Sequence, residues 1–92
     1  MMVQKIEKQF FLGGIGGTGM APLAIFLSQM GHDVCGFDDF MDPQVRFLLQ
    51  WHGVDVVDRP QEAPKCDAFI HSHALGIDDP LVRKFFHKNI PV

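Results

Sequence analysis

The 92-residue chain is short of basic residues, of cysteine and of long apolar runs, and each shortage removes a class of function. Eight Lys and Arg stand against eleven Asp and Glu, a formal charge of −3. Without a cationic surplus, no binding to nucleic acid or to an anionic membrane surface is expected. Any phosphate held here must be met mostly by backbone N–H groups. The two cysteines, Cys35 and Cys66, each lie in an apolar run with no second cysteine nearby. They read as free core thiols of a reducing compartment. The N-terminus, MMVQKIEKQFFLGG, has too short an apolar segment for a signal peptide, and no run reaches membrane-spanning length. A soluble, cytoplasmic protein is expected, with no repeat, linker or low-complexity segment.

What is abundant is apolar: 47% of the residues, nine of them Phe. A single domain of this size buries roughly 60–65% of its unfolded surface, enough for one core. QFFLG (9–13) reads as a buried strand. Met20, Leu23, Ala24 and Leu27 then fall at helical spacing, with Pro22 in the tolerant first turn and Gly31 as a stop. HDVCGF (32–37) is a second strand. Asp42-Pro43 is an N-cap and first-turn proline opening a helix with Val45, Leu48 and Leu49 inward, closed by Gly53. VDVV (54–57) and CDAFI (66–70) are further strands, separated by the polar loop DRPQEAPK. Pro80 opens a helix to about Lys88, and NIPV (89–92) begins a fifth strand. Alternating strands and helices predict a Rossmann-like three-layer α/β fold with a five-stranded parallel sheet, order 3-2-1-4-5.

GGIGGTG (13–19) places five glycines in seven positions between the first strand and the first helix. A bound phosphate, a tight packing corner and a flexible linker all use glycine. Gly14, Gly16 and Gly19 fit G-x-G-x-x-G in the strand–turn–helix context that gives this motif its meaning. Gly14 would allow the tight turn, Gly16 would let a phosphate approach the main chain, and Gly19 would let the helix pack on the sheet. The helix start carries unpaired N–H groups and about half a positive charge. Its dipole contributes roughly 0.3–2 kcal/mol to anion binding, and each charge-assisted N–H bond about 1.5–3 kcal/mol.

Asp38 follows the second strand, nineteen positions after Gly19, where a carboxylate can accept ribose hydroxyls. Asp39 is the second candidate. Ligands of open α/β sheets bind where the strand order reverses, here between strands one and four. Ser72, His73 and Ala74 should therefore face the glycine loop. His71 and His73 have metal-like H-x-H spacing, but no third ligand arrives at fixed spacing, so no metal is expected. No nucleophile with a paired base is identifiable, so no catalytic residue is assigned. Trp51, His52 and His87 read as packing or helix-end residues, and Arg59 as an exposed loop charge.

FLGGIGGTGMAPLA, GHDVCGFD, FIHSHALGIDDP and NIPV resemble, in order and spacing, the N-terminal domain of the Mur ligases. The L-alanine-adding branch is the nearest and the murein-peptide (Mpl-type) branch next. The resemblance covers nearly the whole chain. GIGGTGM is its most specific piece, since a plain dinucleotide site needs neither the doubled Gly16-Gly17 nor Met20. It implies a domain that binds the UDP part of UDP-N-acetylmuramate or a related UDP-sugar in peptidoglycan synthesis. Gly16, Gly17, Thr18 and Gly19, framed by Gly14 and Met20, would hold the diphosphate. Asp38 and Asp39 would contact the uridine, and Ser72, His73 and Ala74 would close over it.

The chain departs from the family pattern at Phe11, Gly13, Phe37, Asp58-Arg59, His73 and Leu75. No G-x-x-x-x-G-K-[ST] occurs in it. ATP and Mg are thus expected only on a central domain, which with a C-terminal domain completes such ligases. The chain stops at the family's usual domain boundary and is expected to be an excised or truncated domain, inactive alone. A nicotinamide-nucleotide (NAD(P)) module, or a stand-alone domain that has lost its ligand and acts through protein contacts, are the competing readings.

Overall fold

Short apolar strands and capped helices alternate along the chain, and the computed structural model describes residues 7–72 and 76–92 of it. The elements are β1 (Gln9–Gly13), α1 (Met20–Gln29), β2 (Asp33–Phe37), α2 (Pro43–Trp51), β3 (Asp55–Val56), β4 (Ala68–His71) and α3 (Pro80–His87). The sheet is parallel, in the order β3-β2-β1-β4. Phe11 of β1 lies between Cys35 of β2 and Phe69 of β4, and Leu12 between Gly36 and Ile70.

Successive strand residues point to opposite faces, so this register sorts the apolar side chains into two clusters. Phe11, Phe37 and Phe69 face one way and pack with Leu81, Val82 and Phe85 of α3 and with Ala63 of the β3–β4 loop. Leu12, Val34 and Val56 face the other way, against Ala21 and Ala24 of α1 and Leu49 of α2. The sheet is thereby sandwiched between two helices on one side and one helix plus a loop on the other. Phe69 and Phe85 stack at 4.1 Å between centroids, with Phe11 5.9 Å from each. Burying three such rings together is the largest apolar contribution on that face.

Both later helices begin with the same device. The Asp42 carboxylate accepts from the Gln44 amide at 2.8 Å, and that of Asp79 accepts from Leu81 at 2.9 Å. Each aspartate is followed by a proline whose missing N–H has no partner to lose. α1 begins at Gly19 with no side-chain cap at all.

Two expectations need correction. The described residues form four strands, not five. The Phe69 amide donates to the Pro91 carbonyl at 2.7 Å, which lays the tail beside the outer edge of β4, where a fifth strand would pair. Pro91 has no N–H to return a second bond, so no ladder forms there among the described residues. Leu48, assigned inward, is 46% exposed. Val45 and Leu49, four apart, already fill the inward stripe of this short helix, and Leu48 lies on its flank.

Truncating Phe85 to Ala removes the partner of two rings from a fully buried site. A loss of about 3–5 kcal/mol is expected in urea denaturation, a large share of a small domain's stability. The two half-buried thiols give a second prediction. Burial pushes Cys35 above the ordinary value of 9.0, with Asp55 and Asp33 adding to it, and burial then Asp67 do the same for Cys66. The unfolded chain ionises these thiols first as pH rises. Their contribution is therefore intact below about pH 9 and is lost as pH climbs through the raised values. The urea midpoint should fall across this range, and should fall less in a Cys35→Ala/Cys66→Ala double variant.

Candidate functional site

The glycine loop lies at the carboxyl edge of the sheet, shaped by the end of β2. Gly14 turns the chain with φ +76°, and the Gly14 and Ile15 amides both donate to the Phe37 carbonyl, at 2.9 and 3.0 Å. A Cβ on Gly14 would collide with the Ser72 hydroxyl, so this glycine serves both the turn and the approach of the β4 end. Ser72 continues the β1–β4 ladder, its amide donating to Gly13 O at 3.1 Å. Ile15, passed over in the sequence, drops its side chain fully into the α1–α2 core. It lies 2.5 Å from where a Cβ on Gly36 would stand, so Gly36 is the glycine that admits it.

The next amides are also engaged. Gly16 N–H donates to Asp38 Oδ2 at 2.8 Å, and Asp38 Oδ1 accepts from Phe40 N–H at 3.2 Å. Gly17 N–H closes a turn onto Gly14 O at 3.1 Å. Among the described residues, the Thr18 and Gly19 amides take no partner. The loop of expected bare amides is thus half satisfied internally, and its open donors lie at the uncapped start of α1.

The sequence reasoning on two glycines is corrected. A Cβ at Gly16 would stand 2.9 Å from Asp38 Oδ2 and 3.0 Å from the Met41 sulfur, so the protein itself fills the space beside Gly16. Gly19 was assigned to close helix packing. Its φ is an ordinary −91°, and among the described residues nothing lies within 4 Å of where its Cβ would be.

Gly14, Gly17, Phe37, Asp38, Asp39, Phe40 and Ser72 line a cavity of about 310 Å³. The crevice between β1 and β4 therefore gathers five of the expected residues: Gly14, Gly17, Asp38, Asp39 and Ser72. Gly16 is turned onto Asp38, and Met20 packs into the α1–α2 core. Thr18 and Gly19 follow Gly17 without lining the cavity. His73 and Ala74 lie outside the described residues. Among the described residues no group of three or more His, Cys, Asp or Glu gathers as a metal site. His71 stacks on Phe69, 5.8 Å between centroids.

Two contributors were missed. Phe40, 90% exposed overall, supplies an edge of the cavity; an isolated loop Phe carries no pattern that could have marked it. Arg59, read as a loop charge, holds its guanidinium 5.0 Å from the centroid of the Phe37 ring and pairs with Asp39 at 3.3 Å and with Asp79. Partial desolvation disfavours its charge, but the Asp79 and then the Asp39 carboxylates outweigh that and raise its pKa. Phe37 itself is fully buried, covered on one side by Phe11 at 5.5 Å.

A parallel sheet with a glycine-rich β1–α1 turn at its carboxyl edge, over a crevice beside the central strand, defines a Rossmann-like module. A family model described as the Mur ligase family, catalytic domain, matches residues 12–92. The chain belongs to the Mur ligase family of peptidoglycan-synthesis ligases and corresponds to their N-terminal domain. It is 36% identical, over 85% of its length, to the UDP-N-acetylmuramate–L-alanyl-gamma-D-glutamyl-meso-2,6-diaminoheptandioate ligase of Escherichia coli K12, covering 18% of that protein. To the UDP-N-acetylmuramate–L-alanine ligase of Aquifex aeolicus it is 31% identical over its whole length, covering 20% of that protein. The murein peptide ligase structure from Psychrobacter arcticus superposes with a TM-score of 0.81 over 91% of this chain and 18% of that one, at 22% identity, a likeness in fold. The chain thus spans about a fifth of the curated relatives it matches. No helix of the described residues is long and apolar enough to cross a membrane.

The Asp38 bridge gives a prediction. Asp38→Ala would leave the Gly16 and Phe40 amides without their acceptor, at a cost of about 1–3 kcal/mol. Hydrogen exchange at the Gly16 amide should accelerate, while exchange in the buried β1 ladder slows or speeds only with global stability.

Proposed function

We propose that this domain binds the UDP moiety of UDP-N-acetylmuramate, or of a closely related UDP-sugar, for a cytoplasmic ATP-dependent amide ligase. The observation that carries this is Gly19. Its backbone is unstrained and its Cβ position is open among the described residues, none of which needs glycine there. A ligand pressed against the start of α1 does need it. The Thr18 and Gly19 amides then meet the diphosphate at the positive end of the helix dipole. Membership of a family with UDP-N-acetylmuramate ligases among its relatives supports the choice of nucleotide.

The roles of the remaining residues follow from their geometry. Gly14 and Gly17 form the floor against which the phosphates lie, and Gly16 keeps that floor in place through Asp38. A carboxylate offers about four acceptor sites and Asp38 uses two, so it can still accept a ribose hydroxyl. Phe40 offers a ring face to the base. Ser72, with its hydroxyl beside Gly14, closes the cavity from β4. Met20 supports the helix start from the core. His73 and Ala74 extend the Ser72 side by family resemblance. ATP and Mg belong to a central domain, because this sequence has no P-loop to hold them. Amide-bond formation needs that domain and a C-terminal one.

Thermal shift with UDP-N-acetylmuramate, UDP, NAD and NADP at matched concentrations tests the reading. Ligand at 100 Kd adds about 2.7 kcal/mol, which for a domain of this size raises Tm by roughly 10–20 °C. UDP compounds should give this shift and NAD none; the reverse result would reject the proposal, and silence with all four would favour a domain that has lost its ligand. Gly19→Ala, which adds only the Cβ that meets open space among the described residues, should lower the unliganded Tm by no more than about 4–8 °C through the poorer N-cap, yet weaken the UDP shift. Full UDP binding by that variant would move the phosphate elsewhere.

A further inference from the structure

The cavity has acidic walls. Asp38 and Asp39 both line it, and none of its described lining residues is basic. A nucleoside diphosphate brings two to three further negative charges, so an uncompensated site of this kind repels the ligand it is proposed to bind. Arg59 lies where compensation is required. Its Nη1 reaches both oxygens of Asp39, at 3.3 and 3.4 Å, while its Nη2 donates to Asp79. The guanidinium rests over Phe37, a wall of the same cavity. Asp79 uses its other oxygen to cap α3.

One side chain therefore ties the loop after β2, at the cavity wall formed by Asp39, to the start of α3. Fold stability does not explain the arm to Asp39. The Asp79 arm, on a side chain only 15% exposed, can serve the fold, but the Asp39 side chain is 57% exposed and an ion pair so exposed contributes little to folding. Holding a long side chain against two carboxylates and a ring also costs rotamer freedom.

We infer that Arg59 is a positioning residue for anion binding: it offsets the charge of Asp39 at the cavity wall and fixes the β2–α2 loop, so that a nucleoside diphosphate meets one uncompensated carboxylate fewer. The inference rests on the nucleotide reading above and adds to it a residue that touches the carboxylate rather than the phosphates. Arg59 cannot be replaced by a neutral side chain of equal reach, because the charge is what matters.

Isothermal calorimetry of the 92-residue chain with UDP and with uridine tests this. Arg59→Ala is expected to weaken UDP about tenfold and uridine less than about twofold, since only the diphosphate meets the exposed carboxylate. Arg59→Gln, which keeps length and hydrogen bonding but drops the charge, should match Arg59→Ala and covers the case in which the alanine variant does not fold. In the Asp39→Asn background the same Arg59 substitutions should cost less than about threefold, the two sites being coupled. Equal losses in both backgrounds, equal losses for UDP and uridine, or restoration by Arg59→Gln would each overturn the inference while leaving the nucleotide reading intact. An unsubstituted chain that binds no UDP overturns that reading, and this inference falls with it.

Discussion

The Phe37 carbonyl accepts two consecutive amides of the glycine loop, and everything at the carboxyl edge of the sheet is hung from that point. The two bonds hold the turn at Gly14 against the end of β2. Ile15 is then forced down into the core, where only the missing side chain of Gly36 leaves it room. With Ile15 anchored, Gly16 comes up beside Asp38 and Gly17 folds back onto Gly14. Among the described residues, what remains free is the pair of amides that opens α1. The loop is a rigid bracket whose last two members are left for a guest, rather than a ring of waiting donors. Such a bracket pays its ordering entropy during folding, so a ligand need not supply it on binding.

Satisfying the loop internally changes what each glycine is worth. At Gly14 and Gly36 the fold itself demands glycine, through a positive φ at one and a side chain pressed into the other's empty place. At Gly16 the neighbours are side chains that could shift, so the demand is softer. At Gly19 the described residues make no demand. Functional glycine and structural glycine thus sit within a few residues of each other and are separated only by what surrounds them in three dimensions.

That distinction marks how far the sequence could be read. The β1–α1 turn, the Asp42-Pro43 helix start and the neighbour order of the first four strands were legible, because each rests on local signals of a few residues. The family was legible too, from GIGGTGM and its spacing to Asp38 and Ser72. The reason for Gly16 was not, since it depends on Asp38 and Met41, more than twenty residues away, and that Gly19 has no described neighbour at its Cβ shows only in three dimensions. Arg59 was opaque for the same cause: both of its carboxylate partners are 20 residues distant, one on each side, and a lone arginine in a proline-flanked loop has no pattern. The fifth strand failed for a different reason, a proline at the one place where the tail reaches β4.

The other end of the molecule carries a feature of its own. Trp51, the sole tryptophan, is 75% exposed at the last turn of α2, stacked on Phe47 at 6.1 Å. Helices in this topology run against the strands, so the indole sits at the edge of the sheet opposite the glycine loop. At this exposure its emission is expected to be that of a ring largely in water. Intrinsic fluorescence is consequently a poor gauge of core melting and is blind to nucleotide arriving at the far rim, but it is a sensitive reporter for any macromolecule that settles on the outer surface of α2.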